Sequence, residues 1–147
     1  MKPSINMSLV ILAQELNERV SLLVKDEYEV SRLGAWAGML FIASMKVDDL
    51  ADGLYNENIM MLKLFDSYKE NLSDELQKEI QTLDDLKPDN IKVSSLDQFN
   101  QKLRSIIIKA HKEFEENELT SAIVETWEVL RFLHQNRKAN HLLEAIG

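Results

Sequence analysis

The chain has 147 residues, a formal net charge of -8 at neutral pH and no cysteine. This length suits one domain with its own hydrophobic core, and the lack of cysteine excludes disulfides and thiolate chemistry. The negative charge disfavours nucleic-acid binding, because contacts to phosphate need a positive surface.

Four Gly and two Pro stand among many Leu, Glu, Lys and Ile residues, so the chain has few helix breakers and many helix formers. We therefore predict an all-α protein: a single compact helical bundle over residues 1–147, with about four long and two short helices that run mainly antiparallel. The longest nearly apolar stretch, residues 33–47, is too short to span a bilayer, and the first residues lack the layout of a secretory signal. A cytoplasmic location without membrane contact is the expectation.

The first helix is predicted to begin near Pro3 or Ser4, since apolar residues follow at helical spacing as far as Leu23. The second, over residues 27–53, is apolar nearly all round, as expected of a helix covered by neighbours. Gly34 and Gly38 lie four residues apart within it, which predicts a groove where another helix packs closely.

Gly53 is predicted to end the second helix, and Asn56 to cap a third that runs to about Tyr68. Ser73, followed by two acids, begins a short helix. The clearest loop is L-K-P-D-N-I-K-V at residues 86–93.

Ser95 and Gln98 have the spacing of a capping box and predict the start of the fifth helix. A break over residues 117–120 separates it from a last helix that is predicted to continue to about Ala145. The core side of the fifth helix is predicted from its apolar spacing: Leu96, Phe99, Leu103, Ile106, Ile107, Ala110 and Phe114.

The string V-D-D-L-A-D at residues 47–52 places Asp48 and Asp52 on one side of a helix, with Asp49 one step round. Carboxylates at this spacing suit magnesium. The alternative to a magnesium site is that the three aspartates simply face water. If the helix ends at Gly53, these acids lie at its C-terminus and interact unfavourably with the helix dipole. A nearby cation would then be needed to offset the cost.

Two acidic pairs on successive helices resemble the pattern of the all-α nucleotide pyrophosphohydrolases, in which E-x-x-E on one helix and E-x-x-D on the next surround magnesium. Here Glu15 and Glu18 form E-x-x-E, and Asp49 and Asp52 form D-x-x-D. The resemblance implies magnesium-dependent hydrolysis of a nucleotide or other diphosphate. It requires the first two helices to be antiparallel neighbours whose four carboxylates converge.

One face of the last helix changes character along its length. It begins with Ile123, Trp127 and Leu130 and continues with His134, Arg137 and His141. In one interpretation the basic half binds an anionic group or a partner, because arginine offers bidentate geometry and histidine a pH-sensitive donor. In the other, these side chains lie in solvent or pair with acids such as Asp48 and Asp52.

No glycine-rich phosphate loop, serine elbow or cysteine nucleophile occurs in the sequence. We therefore expect a non-catalytic, cytoplasmic protein without a cofactor, which has a binding or regulatory role through contacts with a protein partner or a second copy of itself. Met60 and Met61 are interpreted as core residues or as part of the partner surface. The alternatives are the magnesium-dependent pyrophosphohydrolase and a small-molecule sensor whose residues 127–141 line a cavity.

Overall fold

The computed structural model of the chain describes residues 4–138, and every regular element in that range is a helix. The predicted all-α fold is confirmed. The described residues divide into two compact units, residues 4–50 and residues 51–138, and the single domain over residues 1–147 stays a prediction. Within the described range, no helix is both long enough and apolar enough to cross a membrane.

The first unit is a helical hairpin. Helix α1 (Ile5–Gln14) begins as predicted, with Ser4 at its N-cap accepting a hydrogen bond from the Met7 backbone N–H. It continues through a π-helical stretch, Glu15–Val20, into one α-helical turn, Ser21–Leu23. Helix α2 (Glu27–Lys46) begins where predicted and packs against α1. We call residues 5–46 the hairpin.

The predicted end of the second helix at Gly53 is wrong. Helix α2 ends at Lys46, residues 47–49 form a turn, and helix α3 begins at Leu50. Aspartate favours the start of a helix, because its short side chain competes for nearby backbone N–H groups. The acidic string therefore divides two helices, and Gly53 lies inside the second of them.

The second unit contains four α-helices joined by short connections. The order of its elements is α3 (Leu50–Tyr68), a 3-10 turn (Lys69–Asn71), α4 (Asp74–Thr82), a 3-10 turn (Asp84–Leu86), α5 (Val93–Glu116) and α6 (Thr120–Arg137).

Two predicted helix starts in this unit are wrong, and one is confirmed. Asn56 lies within α3 and caps nothing. Helix α5 begins two residues before Ser95, because the Asn90 side-chain oxygen accepts from the Lys92 backbone N–H at 3.0 Å and closes a turn just ahead of the helix. Ser73 caps α4 as predicted, and its own N–H and hydroxyl both donate to the Glu113 carboxylate at 2.7 Å.

The turn between α5 and α6 falls within the predicted break. Glu118 adopts a positive φ of 53°, and the Leu119 N–H donates to the Phe114 carbonyl at 2.9 Å, which is the geometry that usually ends a helix with glycine. The last helix is described as far as Arg137, and its predicted extension to Ala145 lies outside the described residues.

The apolar core cluster lies within the second unit. The predicted core side of α5 is confirmed, since every residue of it is buried. Met61 is completely buried and Met60 packs against the cluster, so both methionines belong to the core. The remaining buried members come from the other three helices and their connections: Leu64, Phe65, Leu72, Leu76, Leu83, Ala122, Val129 and Leu133.

Candidate functional site

The predicted metal ligands of the first helix lie on its exposed surface. Glu15 and Glu18 fall in the π-helical stretch and both are exposed. The Glu15 carboxylate pairs with Arg19 at 3.1 Å, one turn along the same helix. An exposed pair of this kind contributes little to stability.

The acidic string lies at the opposite end of the hairpin from Glu18. The Asp48 carboxylate accepts from the Asn6 side-chain amide at 3.0 Å, which places the turn after α2 beside the start of α1. Glu15 is nine residues further along the helix than Asn6, or about 13 Å at 1.5 Å per residue. Glu15 and Glu18 therefore do not converge with Asp49.

The remaining predicted ligand, Asp52, is exposed in the first turn of α3. Acids in the first turn of a helix are favoured by its dipole, so the predicted cost of acids at a helix end does not arise there. Among residues 4–138, no three His, Cys, Asp or Glu side chains are grouped closely enough to hold a metal ion. The magnesium hypothesis stays a prediction that rests on sequence spacing.

The face predicted for α6 packs only in part. Ile123 and Leu130 pack against the apolar core cluster, but Trp127 is 51% exposed. The buried residues lie one position earlier along the helix: Ala122, Thr126, Val129 and Leu133. The Thr126 hydroxyl donates to the Ala122 carbonyl at 2.7 Å, which satisfies it within the helix and makes its burial tolerable.

The basic residues of that face lie in different environments. His134 is exposed in the last turn of α6. His141 lies outside the described residues. The Arg137 guanidinium pairs with an acid of the same chain, as in the second interpretation, but the acid is Glu57 in α3 and not Asp48 or Asp52. Its Nη2 lies 2.7 Å from Oε2 and its Nε 3.3 Å from Oε1.

Glu57 is the centre of a buried polar cluster. Its side chain is 1% exposed, although it carries a carboxylate. Its Oε1 accepts from the Asn136 side-chain amide at 2.9 Å, and its Oε2 accepts from the Asn100 amide at 2.9 Å. With the two bonds from Arg137, each carboxylate oxygen therefore accepts two hydrogen bonds.

The asparagines connect this carboxylate to the surrounding helices. The Asn100 amide nitrogen also donates to Asn58 Oδ1 at 2.9 Å, and Asn100 Oδ1 accepts from Arg137 Nη2 at 2.8 Å. The Asn58 amide nitrogen donates to the Leu96 carbonyl at 3.2 Å. We call Glu57, Asn58, Asn100, Asn136 and Arg137 the Glu57 cluster.

Gly53 lies against the Glu57 cluster. A Cβ atom built on Gly53 would be 2.9 Å from Nδ2 of Asn136, closer than such atoms approach in real proteins. The glycine one turn before Glu57 therefore leaves room for the Asn136 amide. This close approach explains why a glycine is found within α3.

The electrostatics of Glu57 are set by two opposing effects. Burial favours the neutral acid, but the hydrogen bonds from Arg137, Asn136 and Asn100 and the charge of Arg137 outweigh it, so the pKa of Glu57 lies below its ordinary value. A fully hydrogen-bonded carboxylate with a lowered pKa is a poor general base. The cluster is instead suited to a structural role, in which its hydrogen bonds hold α3, α5 and α6 together.

The hairpin differs from the second unit in what it buries. Its buried apolar side chains are Ala13, Leu33 and Ala37. The large apolar side chains that it exposes by more than 40% come from both helices and from the turn after α1: Ile5, Met7, Ile11, Leu12, Leu22, Leu23, Tyr28, Trp36 and Met39.

Three of the exposed side chains on α2 form a stack. The Arg32 guanidinium carbon lies 5.9 Å from the centre of the Tyr28 ring and 5.3 Å from that of Trp36, and the guanidinium pairs with Glu29 at 3.0 Å. We call Tyr28, Arg32 and Trp36 the aromatic ridge. Tyr, Trp and Arg are the residue types that carry most binding energy in protein interfaces.

Gly34 and Gly38 do not make the close helix contact predicted for them. A Cβ atom on either glycine would meet no atom within 4 Å. They border an open groove of about 280 Å³ between α1 and α2, together with Ala13, Ala37 and Phe41.

The chain was compared with protein families, curated proteins and solved structures. No match was found in any of the three.

The sequence contains a signal for the Glu57 cluster. Asn100 interrupts the apolar face of α5, four residues after Leu96 and three before Leu103. Asn58 likewise precedes the fully buried Met61 by three residues. A polar residue within an apolar stripe at helical spacing indicates a buried hydrogen-bonded group.

Proposed function

We propose that this chain is a non-catalytic helical protein that acts by binding other protein chains through its hairpin, and that its first partner is a second copy of itself. The observation that carries the proposal is the series of large apolar side chains that the hairpin leaves exposed. A group of large apolar side chains left exposed on one helical hairpin is typical of an interaction site.

The balance of burial within the hairpin supports this proposal. Two helices that bury chiefly Ala13, Leu33 and Ala37 remove little apolar surface from water. Ile11 and Leu12 are about half exposed, so each would contribute roughly 1 kcal/mol if a partner buried the remainder. Association is thus the way in which the hairpin gains apolar burial.

The aromatic ridge supports a protein partner in particular. Tyr28 and Trp36 offer large, stiff rings, and Arg32 lies between them already ordered by its contacts to both. Ordering of this kind lowers the entropy lost on binding. A second copy presents the same ridge and the same apolar flank, so a symmetric contact buries both at once.

The Glu57 cluster supports a role without catalysis. The most buried carboxylate of the described residues has both oxygens fully engaged by Arg137, Asn100 and Asn136. It therefore has no free lone pair with which to take a proton from a substrate.

Sedimentation equilibrium of the full chain tests the proposal, with Trp36→Glu compared with Trp127→Glu. Both tryptophans are about half exposed, at 43% and 51%, but only Trp36 belongs to the hairpin. We expect the unmodified chain and Trp127→Glu to associate in the micromolar range, and Trp36→Glu to weaken association at least tenfold, because a charge in an interface core is unpaired. A chain that stays monomeric at millimolar concentration would overturn self-association.

A further inference from the structure

A cavity of about 390 Å³ opens in the second unit between α3, the loop of residues 87–91 and the beginning of α5. We call it the loop cavity. We propose that the loop cavity binds a small, uncharged ring compound. The cavity lies between residues 55 and 99, so the inference does not depend on the hairpin or on self-association.

The walls of the loop cavity are mainly apolar. Leu96 and Phe99, which are 3% and 4% exposed, line it from α5, and Ile59 and Leu62 line it from α3. Pro88 lines it from the loop. Both the volume and the apolar lining fall within the range of small-molecule sites, which measure roughly 300–1,000 Å³.

Two large apolar side chains that line the cavity are unusually exposed. Ile91 is 78% exposed and Tyr55 is 51% exposed, although both border the cavity. A bound ring that fills the space between them would cover both side chains. The gain from covering apolar surface favours an apolar ligand.

The charged groups around the cavity already have partners. The Lys87 ammonium binds the Asp84 carboxylate at 2.6 Å, and the Asp89 carboxylate accepts from the Asn90 amide at 2.8 Å. An anionic ligand would leave water without gaining a free cation, because the Lys87 ammonium is already paired, and this is costly. The neutral form of a ring compound therefore fits better than an anionic one.

Asn58 supplies the polar contact of the cavity and joins it to the Glu57 cluster. Asn58 is 4% exposed; its amide nitrogen donates to the Leu96 carbonyl and its amide oxygen accepts from Asn100. An amide can make further hydrogen bonds through its second N–H and its second lone pair. A hydroxyl or ring N–H on the ligand can therefore bind Asn58, and the Asn58 and Asn100 amide signals report its arrival.

Nitrogen-15 NMR titration of the full chain tests the proposal, with indole and cyclohexanol as neutral probes and benzoate as a charged one. We expect saturable shifts for residues that line the cavity, including the Asn58 side-chain amide, and at least tenfold weaker binding of benzoate. In the unmodified chain, indole protons should show nuclear Overhauser effects to the methyl groups of Ile59, Leu62 and Leu96.

Filling the cavity provides the matched comparison. Ile59→Trp and Leu62→Trp each place a ring in the space and should abolish the indole shifts. Ile108→Trp, at a residue of α5 that is 72% exposed and does not line the cavity, should keep them. The proposal is overturned if neither neutral probe saturates up to its solubility limit, or if the Overhauser effects arise from residues outside the cavity.

Discussion

Arg137 and Glu57 lie 80 positions apart in the sequence, and their side chains are 2.7 Å apart, measured from Nη2 to Oε2. The contact joins the last turn of α6 to the second turn of α3 around a carboxylate that is almost completely buried. The Glu57 carboxylate of α3 can therefore stay buried only while the last turn of α6 is formed and supplies Arg137.

Removal of Arg137 should destabilise the second unit more than neutralisation of Glu57. Arg137→Ala leaves a buried carboxylate without its cation, so we expect a loss of about 3 kcal/mol in the free energy of unfolding. Glu57→Gln leaves a guanidinium that is 40% exposed and reaches water, and about 1–2 kcal/mol is expected. Urea unfolding at pH 7 measures both. Arg131→Ala, at an exposed arginine of the same helix, should change stability by less than about 0.5 kcal/mol.

The stabilisation by Glu57 should disappear in acid. The pKa of Glu57 in the folded chain lies below its ordinary value of 4.5, because the hydrogen bonds and charge of Arg137 with the two asparagine amides outweigh burial. Its contribution is therefore complete above the unfolded pKa and is lost as the pH falls through the folded pKa. The stability difference between the unmodified chain and Glu57→Gln should be constant above about pH 5.5 and shrink below it. A difference that grows in acid would contradict the lowered pKa.

The effect of Gly53→Ala on stability should depend on whether Asn136 is present. Alanine gains about 1 kcal/mol of helix propensity, but its Cβ displaces the Asn136 amide from the Glu57 carboxylate, which costs about 1.5–3 kcal/mol. We expect net destabilisation in the unmodified chain. In an Asn136→Ala background the clash is absent, so the same substitution should stabilise. Denaturant unfolding of the four chains gives the coupling, and equal effects in both backgrounds would show that the two residues act independently.

Glu118→Gly should stabilise the turn between α5 and α6. Glu118 is held at a φ of 53°, where a side chain is strained and glycine is not. We expect a gain of about 1 kcal/mol, seen as a higher melting temperature. Glu116→Gly, two residues earlier within α5, should instead lose about 1 kcal/mol. A loss at both positions would mean that the conformation of Glu118 is not strained.

Magnesium should leave the melting temperature unchanged to within about 1 °C, because a ligand raises it only by binding the folded state. Glu15 and Glu18 lie far along the hairpin from Asp48, and no group of three possible ligands occurs among residues 4–138. The measurement compares the unmodified chain with Asp49→Ala and Asp52→Ala combined. A rise of several degrees that is lost in the double variant would support the diphosphate hydrolase hypothesis.

Periodic apolar spacing was enough to predict that the chain is helical and which apolar side chains of α5 are buried, because apolar side chains are driven out of water. It missed part of the packed face of α6, where Thr126 is buried with its hydroxyl hydrogen-bonded within its own helix. It also failed at Gly53, whose presence inside a helix depends on Asn136, more than eighty residues away. Asn100 within an apolar stripe indicates a buried hydrogen-bonded group. Its partners Glu57 and Arg137 lie at distant positions that leave no periodic trace, so the membership of the Glu57 cluster required the structure.

The apolar cluster lies between residues 61 and 133, so the hairpin is synthesised before any part of it. While the ribosome completes the chain, residues 5–46 have few apolar neighbours of their own and meet water or whichever chain is nearest. The residues of the apolar core cluster are all in the part made later. Because the hairpin is made first, another chain can bind it before synthesis of this chain is complete.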